Sequence, residues 1–205
     1  MSLFPMFVKL RDRLCIVVGG GEVAAAKIPG LIAAQAKIRV IAPEVNQQIT
    51  GRVREGLVEW RRKQFESGDL ADAYLVVAAT NVPDVNHEVY GEAEARGILC
   101  NAVDDPEYCH FYYPSVVRRG ELQIAISTEG LSPALAQRLR RELEAQFGPE
   151  YEPWLRWLGA VRKFLRSTKD DSEGTKQLLH ELASREMFEK FLQQTTGGQG
   201  SRSAQ

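Results

Sequence analysis

The sequence predicts an α/β protein: an N-terminal Rossmann-type parallel sheet, then a small α+β dimerisation segment and a C-terminal helical domain. Three observations carry this. The apolar run Leu14-Cys15-Ile16-Val17-Val18 passes through Gly19-Gly20-Gly21 straight into the helix-forming stretch that starts at Glu22. Strand-like and helix-like periods then alternate at short spacing through the first half, which is βαβ order and implies a parallel sheet. After Pro114 the pattern changes to two β-type runs around a tight turn, and then to helical spacing alone.

Taken in order, residues 15–18 are continuously apolar and β-branched, as suits a strand covered on both faces. Gly19-x-Gly21-x-x-Ala24 fits the dinucleotide fingerprint: the first glycine makes the tight turn, the second lets backbone approach a pyrophosphate, and the small third residue lets helix pack on strand. Glycine turns also join strands to helices for steric reasons alone, so the flanking strand and helix give the motif its weight. A helix over 23–34 and a strand over 37–41 complete the first βαβ unit. Further strands fall at 58–60, 74–79 and 99–103, with a helix over 85–96. Strand ends then lie at Ala42-Pro43, Ala79-Thr80 and Val103-Asp104. Ligands in an open α/β sheet bind beyond the carboxyl ends of the strands, so these three points should share one cleft with the glycine turn.

Residues 115–127 read as a hairpin around Arg118-Arg119-Gly120-Glu121. Ser132-Pro133 supplies an N-cap and a first-turn proline for a helix from Ala134 to about Phe147, stopped by Gly148-Pro149. Helical spacing continues from Tyr151 to about Gln194, with Trp154, Leu155, Trp157, Leu158, Val161, Phe164 and Leu165 forming an apolar stripe that fits a packed core or a dimer face. The expected divisions are a nucleotide-binding domain over 1–113, a hairpin–helix segment over 114–149, a helical domain over 150–195 and a disordered small, polar tail over 196–205.

The 205 residues are 44% hydrophobic, enough for a sizeable core, and the 26 basic and 27 acidic residues leave a net charge of −1. No global field recruits nucleic acid or an anionic membrane. The apolar runs are too short to span a bilayer, and no secretory signal pattern is present, so a cytoplasmic location is expected. Cys15, Cys100 and Cys109 are scattered and read as reduced, structural thiols. His87, His110 and His180 stand apart, and no spacing marks a metal site, although His110 lies in the same loop as Asp104.

The cleft residues suggest a division of labour. Gly19, Gly21, Glu22 and Val23 form the pyrophosphate turn, Pro43 and Glu44 follow the second strand, and Thr80 ends a central one. Glu44 stands near the distance at which an acidic residue holds the ribose 2′-OH of NAD, and it equally suits a solvated loop. No arginine directly follows Ile41, which favours NAD over NADP. Asp104, at a strand's carboxyl end, can accept the proton that leaves as a hydride goes to nicotinamide. An Asp-Asp-Pro turn is also a common strand terminator.

Several motifs occur in fixed order: Pro5-x-Phe7-x-x-Leu10-Arg11, Val17 to Ala24, Ala78-Ala79-Thr80-Asn81, Cys100 to Pro106, Phe111-Tyr112-Tyr113-Pro114-Ser115 and Ser132-Pro133. Together they resemble the siroheme-synthase N-terminal family, the precorrin-2 dehydrogenases, some of which are also sirohydrochlorin ferrochelatases. The resemblance implies oxidation of precorrin-2 to sirohydrochlorin with NAD, in a homodimer whose middle segment and C-terminal helices form the dimer and tetrapyrrole-binding parts. It implicates Asp104 in catalysis, and Fe²⁺ would be a substrate if the chelatase activity is present. A polycarboxylate substrate requires local counter-charge, for which Arg118, Arg119, Arg138, Arg140 and Arg141 are candidates. Each also suits a solvated basic helix face. Asn101, Ser115, Thr128 and Ser132 complete the expected substrate contacts, Ser132 being equally explained as a cap. Glu129 departs from the family pattern, where glycine is common. Two other functions remain in play: a non-catalytic NAD-sensing regulator that keeps the fold, and an NAD oxidoreductase of another substrate. The lack of a Tyr-x-x-x-Lys pair argues against short-chain dehydrogenase chemistry.

Overall fold

The strand-like stretches of the first half become five short strands: β1 (Leu14–Val18), β2 (Lys37–Ile41), β3 (Glu59–Arg61), β4 (Leu75–Ala78) and β5 (Leu99–Ala102). They pair in parallel in the order β3-β2-β1-β4-β5. The computed structural model describes residues 3–167 and 173–197. The chain divides into two compact units, Met1–Tyr113 and Pro114–Gln205.

In the first unit, successive side chains alternate across the sheet and both faces are covered. Cys15, Val17, Ile38, Val40 and Val77 pack with Ala24, Ala25, Ile28 and Leu31 of α1 (Glu22–Ala33) and with Ile49 of α2 (Gln47–Arg54). On the other face, Ile16, Val18, Ile41, Val76, Ala78 and Cys100 meet Val89 and Ala93 of α3 (Pro83–Arg96). Two covered faces explain why β1 and β4 read as unbroken apolar runs.

The sequence reading did not anticipate α2. Ile49 is its one buried residue, so it carries little apolar period. Its start is nonetheless encoded: Asn46 Oδ1 accepts a hydrogen bond from the Ile49 amide at 3.0 Å. β3 sits one residue later than expected, and α3 begins at Pro83 rather than residue 85, because a first-turn proline is already set for the helix.

The two sheet edges are protected differently. On one side β3 is three residues long, and Glu59 accepts from Arg39 at 2.8 Å and from Arg61 at 3.1 Å. On the other, the chain folds back along β5 through an antiparallel bridge between Asn101 and Cys109. There His110 N–H donates to the Cys100 carbonyl (2.8 Å), and the Cys100 amide donates to His110 Nδ1 (3.0 Å).

The second unit opens with the antiparallel hairpin β6 (Ser115–Arg119) and β7 (Leu122–Ile126), turned by Gly120 at φ 57°. It continues through α4 (Pro133–Gln146), α5 (Tyr151–Ser167), α6 (Glu173–Leu182) and α7 (Arg185–Gly197). The hairpin, α4 and the later helices thus fall in one unit. Ser132 Oγ caps α4 by accepting from the Leu135 amide. Tyr151, Trp154 and Phe188 cluster between α5 and α7. Among the described residues of this unit only Val117, Ala136 and Thr175 are buried, while Leu131 and Phe164 are 90% and 67% exposed. α7 runs through Gly197, into the stretch expected as tail, and the rest of that stretch lies outside the described residues. No described helix is long and apolar enough to cross a membrane.

Burial pushes the Cys15 thiol up to about 11 and the Cys100 thiol up to about 12, the charge of Cys109 adding to the latter. Both therefore stay protonated at pH 8, where an ordinary thiol is partly ionised. Burial raises the Cys109 thiol as well, so with a thiol-specific chromogenic disulfide at pH 8 native protein should show at most one reacting thiol, the half-buried Cys109 and slower than a free thiol, and three after denaturation. Fast reaction at Cys15 or Cys100 would contradict their packing.

Candidate active site

The carboxyl ends of β1, β2, β4 and β5 open into one cleft of about 1120 Å³. It lies where the strand order reverses beside β1, the position that suits a ligand in this class of sheet. Gly19, Gly21, Glu22, Val23, Pro43, Glu44, Thr80 and Asp104 all line it. The three strand ends expected to share a cleft with the glycine turn do so.

The three glycines have different reasons to be glycine. Gly19 has φ 120°, and a Cβ there would lie 2.3 Å from the Ala79 carbonyl oxygen. A Cβ on Gly20 would meet the Glu44 carbonyl oxygen at 1.9 Å. The turn is therefore wedged between the ends of β4 and β2, and Gly20, which sequence reasoning passed over, is as constrained as Gly19. Gly21 differs: nothing lies within 4 Å of its would-be Cβ, so the space beside it is open to the cleft. As N-cap of α1 it offers no side-chain hydrogen bond. The first amides of α1 have no intrahelical partner and no capping oxygen, which makes this end a site for a phosphate group. The residues present fit a dinucleotide pyrophosphate.

Glu22 stands beside that helix end, but its carboxylate is held by Asn46 Nδ2 (2.8 Å) and Gln48 Nε2 (3.2 Å), both from the start of α2. Thr80 is locked from α3. Asn86, buried, accepts from the Thr80 amide (3.1 Å) and hydroxyl (2.8 Å) through Oδ1 and donates from Nδ2 to the Thr80 carbonyl (3.2 Å). A buried asparagine on an otherwise apolar helix face was the signal for this clamp. Asn81, from the family motif, lines the cleft, as do Gln64, Phe65, Val82, Val85 and Glu88, which were not singled out from sequence.

Asp104 ends β5 with φ 63°, a left-handed conformation that costs a non-glycine residue about 1–2 kcal/mol. Asp105 does not line the cleft, and its Oδ2 lies 2.8 Å from His87 Nε2. The two neighbouring carboxylates are thus separated by the turn.

The other expected site residues are placed differently. Asn101 is buried in β5 and does not line the cleft; its amide donates to the Phe111 carbonyl (2.8 Å) and to Cys109 Sγ (3.3 Å), so it fastens the returning loop. Ser115, Arg118, Arg119, Thr128, Ser132 and Arg138 belong to the second unit. Arg119 is occupied structurally: Nε donates to the Phe147 carbonyl (2.8 Å) and Nη2 to the Glu144 carbonyl (3.0 Å), satisfying the end of α4. Thr128 Oγ1 accepts from the Ser132 amide at 3.2 Å. Ser115 is half-buried at the start of β6. Arg138 pairs with Glu142 (3.2 Å) and Arg140 with Glu144 (2.6 Å), whereas Arg118 and Arg141 are exposed. Glu129 adopts φ 51°, so the residue that departs from the family's glycine sits where glycine is easiest. His110 has both ring nitrogens engaged, Nδ1 by the Cys100 amide and Nε2 by Glu94.

Residues 6–115 match a family model described as "Putative NAD(P)-binding", and residues 119–146 match one described as "Sirohaem biosynthesis protein central". The chain is 43% identical over 145 residues to a siroheme synthase of Photorhabdus laumondii, covering 71% of this chain and 31% of the relative. It is 40% identical over 166 residues to one of Actinobacillus pleuropneumoniae serotype 7, covering 79% and 34%. The chain thus spans about a third of the length of these curated relatives. Among solved structures, "SirC, precorrin-2 dehydrogenase" matches with a TM-score of 0.75 at 29% identity, over 94% of this chain and 98% of that one.

Substitution within the glycine turn should separate folding from binding. Gly21→Asp should melt within a few degrees of the parent and lose NAD binding by calorimetry. Gly20→Ala should instead lower the melting temperature, by on the order of 4–8 °C per kcal/mol lost in a domain of about 100 residues. Unchanged NAD affinity in folded Gly21→Asp would remove the pyrophosphate from this turn.

Proposed function

The chain belongs to the siroheme-synthase N-terminal family, and from that premise we propose that it oxidises precorrin-2 to sirohydrochlorin with NAD as hydride acceptor. The observation that carries this reading is the placing of Asp104 in the same cleft as the uncapped N-terminus of α1 and the open face of Gly21.

NAD bound there supplies the hydride-accepting nicotinamide. The amides at the start of α1, with Gly21, Glu22 and Val23, hold the pyrophosphate. The amides of Asn46 and Gln48 draw the Glu22 carboxylate toward α2, which reduces its repulsion of that group. Pro43 and Glu44 receive the adenosine ribose, Glu44 through the 2′-OH. NAD rather than NADP is supported by Glu44 after β2, by Arg39, which is paired with Glu59 at 2.8 Å, and by Arg62, whose Nε donates to the Pro43 carbonyl at 3.3 Å. Thr80, locked by Asn86, forms the wall after β4 and orients the cofactor. Asp104 accepts the proton released as the macrocycle gives up its hydride, so one hydride and one proton leave precorrin-2 in each oxidation. Arg118 and Arg141, whose side chains are exposed, are the cationic partners we assign to the substrate's carboxylates. Fe²⁺ enters only as substrate of a second, ferrochelatase step.

We also assign a homodimer, formed through the second unit and located with NAD in the cytoplasm. The support is the exposed apolar surface of that unit, Leu131 and Phe164 included, which a second copy would bury.

Under anaerobic conditions the protein should convert precorrin-2 to sirohydrochlorin with stoichiometric reduction of NAD. Removing a general base typically costs about 100- to 10,000-fold in rate, so Asp104→Asn should lose at least the lower figure in turnover while NAD affinity stays within a few-fold. Binding of NAD without turnover in the wild type would instead describe a regulator, and near-normal turnover in Asp104→Asn would exclude it as base. Light scattering at micromolar concentration should give the mass of two chains; a one-chain mass would refute the dimer.

A further inference from the structure

α3 carries two neighbouring residues that fasten two of the turns beside the cleft. Asn86 fastens the Thr80 turn after β4 through three hydrogen bonds. His87, next along the helix, reaches the turn after β5. A carboxylate oxygen only accepts, so His87 Nε2 carries the proton and donates to Asp105 Oδ2 at 2.8 Å. The same imidazole stacks on Tyr108, with ring centroids 3.9 Å apart and planes 15° from parallel. Tyr90, one helical turn further, meets Tyr108 edge-on at 5.2 Å. Asp105 and Tyr108 bracket the turn that begins at Asp104: the Asp105 amide donates to the Ala102 carbonyl (3.2 Å) and the Tyr108 amide to the Asp105 carbonyl (3.1 Å).

Asp104 is left-handed, and a residue held in such a conformation persists only where its surroundings over-determine it. Val103, just before the turn, is anchored to β4 by its amide on the Ala78 carbonyl (2.9 Å), whereas from Asp104 to Tyr108 the backbone bonds are local and do not fix the turn relative to the helix. From the turn itself, the contacts that cross to α3 are His87 to Asp105 and the rings of His87 and Tyr90 on Tyr108; just beyond it, His110 reaches Glu94 and Tyr90 of the same helix. We propose that His87 is a positioning residue for the dehydrogenation: through Asp105 and Tyr108 it holds the Asp104 turn at a fixed spacing from the Thr80 wall, so that the carboxylate faces the place where the proton is released. The proposal rests on the reading of Asp104 as proton acceptor. It assigns to the second aspartate of the Asp-Asp pair a task distinct from the first.

His87→Phe keeps a ring to stack on Tyr108 and removes the donor to Asp105, whereas His87→Gln restores a donor on a shorter arm. Misplacement of a reacting group by about 1 Å can cost a hundredfold in rate, so His87→Phe and Asp105→Ala should each lower kcat by about ten- to a hundredfold, with KM for NAD within twofold and unchanged melting. His87→Gln should recover part of the loss. The double variant His87→Phe/Asp105→Ala should be no slower than the slower single variant, because both changes break one link. Unchanged kcat in His87→Phe, or losses that multiply in the double variant, would overturn the proposal. If the wild type itself fails to oxidise precorrin-2, the functional reading falls, and the link is then read by hydrogen exchange. Amides 103–109 should exchange at least about tenfold faster in His87→Phe than in the wild type, and equal protection would refute the positioning role.

Discussion

The site depends on one steric constraint: the backbone of the first turn is wedged between two others. Gly19 lies against the carbonyl of Ala79 and Gly20 against that of Glu44, at separations no Cβ could occupy. This contact ties the end of β1 to the ends of β4 and β2, and it is sealed by Gly19 N–H donating to Ile41 O (3.0 Å) and Asn46 N–H donating to Gly20 O (2.9 Å). With the turn held so tightly, the first amides of α1 are left pointing into open space instead of into protein. The binding surface is a by-product of the packing that closes the sheet's central crevice. Because the wedge uses backbone atoms only, side chains around it are free to differ without loss of the geometry.

Much of this was legible in the sequence, for identifiable reasons. Strands covered on both faces are rich in apolar residues, so residues 15–18 and 74–79 announced themselves, and 37–41 did so despite Lys37 and Arg39. Parallel pairing then places their carboxyl ends together, and Pro43, Thr80 and Asp104 came to one cleft with no knowledge of angles. What escaped were features without period. α2 buries Ile49 alone, and its clearest mark is the capping Asn46. Asn101 and Arg119 looked like ligand contacts because amides and guanidinium groups suit ligands and orphaned carbonyls equally well. Sequence shows the donor but not the acceptor, and both turned to backbone oxygens, Phe111 for one and Phe147 and Glu144 for the other. Gly20 was hidden between two glycines with a named role.

Asp104 and Asp105 show the same ambiguity resolved by a change in backbone hand. An Asp-Asp pair before proline reads as a strand stop, and it is one: the turn ends β5. The left-handed φ of Asp104 also puts it on the cleft lining while its neighbour is taken up by His87. The signal that ended the strand and the signal that suggested chemistry were one feature.

The two sheet edges carry a consequence of a different kind. An unpaired edge strand exposes a row of amides and carbonyls on which another chain can grow a β-structure. Here β3 is too short and too charged to serve as such a template, with Glu59 and Arg61 flanking its single tryptophan. β5 is already occupied by its own chain, through the bridge at Cys109 and the two hydrogen bonds at His110. Among the described residues, the folded sheet therefore offers only a short, charged margin at β3 and a partly covered one at β5. Growth of β-structure from one folded copy onto another is thus disfavoured at both margins.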